Sequence, residues 1–158
     1  MRHLTLQEQT SMILDGWHII DKLYEEYAKS LGLTYIGLSV LNAIYGMPEN
    51  CTQKAICERT HLPKQSVNGI IRSLWEQGYV KMKETDSDRR NKIIRFSKSG
   101  RDYADRTIGR LLKKEEKVVA QLTYRERQIM IGFLEKTGNS IEECIQAGQS
   151  GRKVLKEV

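Results

Sequence analysis

Between residues 52 and 97 the apolar spacing of this chain switches from a helical repeat to a strict alternation, and that switch limits the available folds more than any other feature. TQKAICER reads as a short helix with Ile56 and Cys57 facing inward. Thr60-His61-Leu62 makes a tight turn, and Pro63 suits the first position of the next helix. That helix, PKQSVNGIIRSLWEQ, buries Val67, Ile70, Ile71 and Leu74 and stops at Gly78. Val80 and Met82, then Ile94 and Phe96, alternate with polar residues as half-buried strands do, and a short tip holding Asp88, Arg89 and Arg90 joins them. Two short helices with a tight turn between them, followed at once by a hairpin, predict a helix-turn-helix with a wing.

The second of these helices turns an unusual face outward. Lys64, Gln65, Ser66, Asn68 and Arg72 lie on it, and its one acid, Glu76, comes in the last turn. A solvated face usually carries Glu as well as Lys, so this composition favours a partner. Amides and cations of this length match the donor and acceptor patterns in the major groove of DNA. Ser66 and Lys64, near the positive end of the helix dipole, suit phosphates. Thr52 and Gln53 at the start of the preceding helix, and Lys92 on the returning strand, complete the candidate set with Asp88, Arg89 and Arg90. Charge agrees with this reading. The chain has a formal net charge of +6, and residues 50–110 hold 14 Lys/Arg against 7 Asp/Glu, while the remainder holds 12 against 13. A basic block within a near-neutral frame is the footprint of a polyanion binder.

Other classes find little support. With 158 residues, 39% of them hydrophobic and 29% charged, the chain suits one folded domain with a real core. No apolar run approaches a membrane span and no signal-like segment follows the start, so a cytoplasmic protein without a membrane partner is expected. Three scattered cysteines, Cys51, Cys57 and Cys144, argue against a disulfide scaffold. Cys51, Cys57 and His61 fit no common zinc spacing, so neither metal nor cofactor is expected. His3, His18 and His61 have no evident carboxylate or nucleophile partner and there is no Gly-rich phosphate loop, which leaves no catalytic constellation. Oxidant sensing through Cys51 or Cys57 remains an alternative use of the thiols.

The flanks are long helices. Thr5-Leu6-Gln7-Glu8 is a capping-box pattern. Ile13, Trp17, Ile20, Tyr24, Tyr27 and Leu31 then follow in alternating steps of four and three, with Gly32 as the stop. A second helix spans Thr34 to Tyr45, closed by Gly46 and Pro48. Beyond the hairpin, one helix runs from Ser99 to Gln121 with Tyr103, Ile108, Leu111, Leu112, Val118 and Val119. Thr123-Tyr124-Arg125-Glu126 caps a last helix with Ile129, Phe133, Leu134, Ile141 and Ile145, in which Gly138-Asn139 is a candidate kink. The tail from Gly148 reads as weakly ordered. The expected fold is thus mostly α with a small β-hairpin wing, a winged helix-turn-helix (34–97) between flanking helices (5–32 and 99–147).

This order, with the motifs TQKAICERTHLPKQSVNGIIRSLWEQGYV and DSDRRNKIIRFSKSG, resembles the multiple-antibiotic-resistance regulator (MarR) family of bacterial winged-helix repressors over roughly residues 10–147. The resemblance implies a homodimer whose first and last helices interlock, with a recognition helix in each of two major grooves. It implies Arg90 in the flanking minor groove, Asp88 holding its side chain, and Arg89 nearer the phosphates. It also implies a cleft for a small aromatic or phenolic effector, for which Trp17, His18, Tyr35 and Tyr103 are the candidates; a dimer seam and a core are equally good uses of these aromatics. The chain departs from the pattern at His61, where the turn usually has Gly, at Cys57, which replaces a small Ala, and at Thr85, where the wing more often has an acid. The expected function is a ligand-responsive transcriptional repressor acting on double-stranded DNA at a pseudo-palindromic operator. An architectural DNA-binding module without an effector is the alternative.

Overall fold

The computed structural model describes residues 3–85 and 88–154, and the side chains of 3–83 and 92–147. In chain order the elements are α1 (Leu6–Ser30), α2 (Tyr35–Tyr45), α3 (Gln53–Thr60), α4 (Lys64–Glu76), β1 (Val80–Thr85), β2 (Asp88–Phe96), α5 (Lys98–Ala104), a π-helical turn (Asp105–Gly109), α6 (Arg110–Val119) and α7 (Tyr124–Val154). They fall into two compact units, Met1–Leu111 and Leu112–Val158.

The first unit is built around α2. Its sequence, YIGLSVLNAIY, is apolar nearly all round, which suits a helix enclosed by others. Leu38, Val40, Leu41, Ala43 and Ile44 are buried, and Ala28 of α1, Cys51, Ile56 of α3, Val67, Ile71 and Leu74 of α4, Val80, Ile94, Ala104 and Ile108 complete the core. Ile70, expected in that core, is only half-buried. The capping box at Thr5 forms: Thr5 N donates to Glu8 Oε2 at 2.8 Å, and Glu8 N donates to Thr5 Oγ1 at 3.3 Å. Yet of the 25 residues of α1 only Ala28 is buried.

Two glycines stop helices as the sequence predicts. Gly32 and Gly78 have φ of 70° and 72°, a conformation glycine adopts without a Cβ penalty. Around each, two backbone bonds close the helix end. Gly32 N donates to Lys29 O and Leu33 N to Ala28 O; Gly78 N donates to Trp75 O and Tyr79 N to Leu74 O. The chain then enters the antiparallel β1–β2 hairpin, with Val80 opposite Phe96 and Met82 opposite Ile94. Val80 and Ile94 face the core, whereas Met82 is more exposed than the half-buried position expected of it.

The root of the hairpin is clamped. Ser97 N donates to Tyr79 O at 2.9 Å and Ser97 Oγ to Gly78 O at 2.6 Å, while Ser97 Oγ also accepts from Gly100 N and caps α5. Gly100 packs so tightly on Tyr79 that any Cβ there would overlap the Tyr79 carbonyl.

The single helix expected from Ser99 to Gln121 is instead interrupted by the π turn. The Tyr27 hydroxyl donates to the Thr107 carbonyl at 3.1 Å, and the Tyr45 hydroxyl donates to Asp105 Oδ1 at 2.8 Å. Gly109 makes room for Tyr45, since a Cβ there would lie 2.7 Å from its hydroxyl. One of these bonds reaches a backbone carbonyl of the turn and the other a carboxylate at its start.

In the second unit, Thr123 and Glu126 form the predicted capping box, with Thr123 N donating to Glu126 Oε2 at 2.7 Å and Glu126 N to Thr123 Oγ1 at 3.3 Å. α7 continues unbroken through Gly138-Asn139, and its backbone stays helical past Gly148 to Val154.

Candidate nucleic-acid interface

Local chemistry fixes the angle between α3 and α4. Thr52 caps α3, its Oγ1 accepting from Ala55 N at 3.1 Å. His61 ends α3 with φ 54° and ψ 22°, so this imidazole takes the left-handed position expected of the turn. Pro63 stands just outside α4 as its N-cap rather than inside it, with ψ 140°, and supplies no side-chain cap. Gln53 Nε2 donates to Lys64 O at 3.1 Å, linking the starts of the two helices. One donor of this candidate base reader is therefore committed within the chain.

The wing joins the same construction. Thr52 forms an antiparallel bridge with Ile93, and Ile94 N donates to Cys51 O at 2.7 Å. The return strand thus runs beside the start of α3. Between α3, α4 and the hairpin lies a groove of about 400 Å³, lined by Thr52, Gln53, Lys54, Cys57, Lys64, Asn68, Ile71, Met82, Lys92 and Ile94. Five of the candidates from the sequence, Thr52, Gln53, Lys64, Asn68 and Lys92, meet here. Among the described residues three lysines and no acid line the groove, a lining that favours an anionic partner.

The other candidates are arranged differently. Gln65 and Arg72 are exposed and Ser66 is half-buried, none of them lining the groove. Arg72 Nε donates to Glu76 Oε1 at 2.8 Å, so the guanidinium is held along the outer face of α4. The backbone of Asp88, Arg89 and Arg90 opens β2, and their side chains lie outside the described residues. The strand register shifts between Glu84 and Thr85, leaving Thr85 opposite Asp88.

Two groove residues escaped the sequence reading. Lys54 follows Gln53 in the first turn of α3, and its ammonium lies 3.7 Å from Glu58; a lysine one position from a candidate reader was the available signal. Cys57, expected to face inward, is half-buried at the groove wall, because Ile56 takes the interior position beside it. Cys51 is fully buried, and burial pushes its thiol up to about 11. It stays protonated at neutral pH and is a poor nucleophile. Among the described residues no cluster of three His, Cys, Asp or Glu side chains is placed to hold a metal.

The effector candidates separate. Tyr103 stacks on Tyr79 with ring centroids 4.8 Å apart and planes 5° from parallel. Both line a cavity of about 310 Å³ with Leu31, Leu33, Thr34, Gly37, Ile70 and Leu74. Burial, then the nearby Tyr79 and Tyr27, raises the Tyr103 hydroxyl above its usual value. Trp17 is half-buried and His18 and Tyr35 are exposed, none of them lining this cavity. Tyr79 was not anticipated; its place directly before Val80, the first core-facing residue of β1, gave only a strand signal.

With this geometry in view, similarity to known proteins is informative. Residues 31–91 match the sequence profile of the MarR family. SarZ of Staphylococcus epidermidis, an HTH-type transcriptional regulator, is 34% identical over 83 residues, 52% of this chain and 55% of its own. Over this segment the chain is similar to the MarR family. It spans about half the length of the curated relatives it matches. The MarR-family regulator NMB1585 of Neisseria meningitidis superposes with a TM-score of 0.70 at 24% identity, covering 89% of this chain and 98% of that one. Staphylococcus aureus MepR in its DNA-binding conformation gives 0.69 at 20% identity, with 87% and 99% covered. The MarR winged-helix fold therefore extends well beyond the matched segment.

Proposed function

We propose that this chain is a sequence-specific, double-stranded-DNA-binding transcriptional regulator that represses from a pseudo-palindromic operator as a homodimer. The groove between α3, α4 and the wing carries the reading, because it gathers amides, a hydroxyl and three lysines on one surface. That combination suits base edges and phosphates together. In this reading Lys64, Asn68 and Lys92 act from the groove, Gln65, Ser66 and Arg72 from the outer face of α4, and Arg89 and Arg90 from the wing. Asp88 orients Arg90 as it enters a narrow minor groove.

The dimer is supported by what α1 and α7 leave uncovered. Met12, Ile13, Ile19, Ile20 and Leu23 of α1, and Ile129, Met130, Leu134, Ile141 and Ile145 of α7, are all exposed large apolar residues. Patches on this scale mark association surfaces. For the effector, the Tyr79–Tyr103 cavity is the better-supported site, since a flat aromatic ligand can pack beside the stacked pair.

The test is retention of duplexes from a random-sequence pool, followed by affinity measurements on the retained sequence and on unrelated duplex at matched salt. A two-fold repeat with half-sites about one helical turn apart, and a preference of at least about a thousandfold, are expected. A preference near unity means the architectural alternative instead.

A further inference from the structure

Three reasons ordinarily explain a glycine inside a folded chain, and two are absent at Gly69. Its φ is not in the left-handed region, in contrast to Gly32 and Gly78. No neighbour needs the space, in contrast to Gly100 on Tyr79: an ideal Cβ at Gly69 would meet nothing within 4 Å. Glycine is nevertheless among the least favourable residues in a helix interior, and Gly69 lies mid-way along α4. The third reason is close approach by a partner.

The position on the helix identifies that partner. Val67, Ile71 and Leu74 mark the buried side of α4. Gly69 points the opposite way, on a ridge with Gln65 four residues before it and Arg72 three after, both exposed. Gly16, Gly132 and Gly138, also open, have exposed large apolar residues at these spacings (Ile13 and Ile20; Ile129; Leu134 and Ile141), so an apolar partner fits there. Around Gly69 the neighbours are polar or cationic, and the lysine-lined groove is adjacent.

We infer that Gly69 is a clearance position, where the backbone of α4 comes closest to the bases of bound duplex. This rests on the DNA-binding reading and makes Gly69 a positioning residue for it. A helix with its side chains is about 10–12 Å across and the major groove is about 12 Å wide, so depth of entry is limited by what projects from the leading ridge. A bare position at the centre of that ridge brings Gln65 and Asn68, with short reach, down to the base edges. Any side chain there lifts them away.

The experiment uses the full chain and the duplex that the wild type retains from a random pool, with Gly69→Ala and Gly69→Leu. Anisotropy titrations at fixed salt and thermal melts are read in parallel. Expected is a melting temperature a few degrees higher for Gly69→Ala, with affinity at least tenfold weaker, and a further loss for Gly69→Leu without a lower melting temperature. Unchanged affinity in both variants overturns the inference while leaving DNA binding intact. Equal losses for Ala and Leu overturn it in favour of helix flexibility, and a lowered melting temperature overturns it in favour of a folding role. A wild type that retains no duplex overturns the inference together with the reading beneath it.

Discussion

α1 is more than twice as long as α2 yet buries one residue, Ala28, where α2 buries six. Both are apolar enough to fold against something. α2 has its partners within the chain on most of its sides; α1 has an apolar stripe with a polar face behind it, and the stripe faces out. The difference teaches that apolar content places a residue at an interface without saying whose. A helix enclosed by its own chain stabilises the fold, and one with an open stripe is the surface on which the proposed dimer rests.

The contrast can be broken most forcefully at Leu41, fully buried in α2. Leu41→Ala should cost about 2–5 kcal/mol of unfolding free energy in a urea titration, through lost burial and the cavity left behind. Ile20, half-exposed on α1, should respond in assembly. Ile20→Glu removes burial worth about 1.5–3 kcal/mol on each copy, so sedimentation equilibrium should show dimer dissociation at least a hundredfold more ready. A urea midpoint that falls as far as that of Leu41→Ala, with no change in mass, would erase the distinction.

A pH experiment sharpens the α2 side. The Cys51 thiol ordinarily titrates near 9.0 and is raised by burial to about 11. Above the unfolded value the unfolded chain loses this proton first, so stability falls as pH rises from about 9 to about 11 and is unaffected below that window. The loss should reach about 2–3 kcal/mol by pH 11. Cys51→Ala should lack this part of the alkaline decline. At neutral pH, alkylation should be rapid at exposed Cys144, slower at half-buried Cys57, and absent at Cys51 until the chain unfolds. The smallest effect belongs to the cap of α1. Thr5→Ala should cost about 1 kcal/mol and appear as faster amide exchange in the first turn, leaving the Leu41 core protected.

Much of this was legible because it is local. Thr5 with Glu8, Thr123 with Glu126, Gly32, Gly78 and the alternation around Val80 and Ile94 each act within a few residues, so their patterns survive in the string. His61 belongs with them. The π turn was less legible, although the step of five from Tyr103 to Ile108 fits its wider repeat; the hydroxyls that bond to it, from Tyr27 and Tyr45, come from far along the chain. The candidate groove was half visible. Residue type and helical face pointed to Lys64 and Asn68, but depth decides whether Cys57 sits in a core or on a wall, and one neighbour, Ile56, decided it. Depth also separates Tyr103 from Trp17, His18 and Tyr35, since aromatic character on a helix says nothing about which cavity lies opposite.

The clamp at Ser97, Tyr79 and Gly100 makes the hairpin a lever with its fulcrum inside the protein. β1 has six residues, so the arm is about 16 Å long. A tilt of about 10° at the fulcrum would carry the far end through about 3 Å, and the ties of Ile93 and Ile94 to Thr52 and Cys51 resist it from part-way along. Accuracy at the outer end is therefore decided at the inner one. A methyl group added at position 100 would be felt most strongly where no atom has been changed.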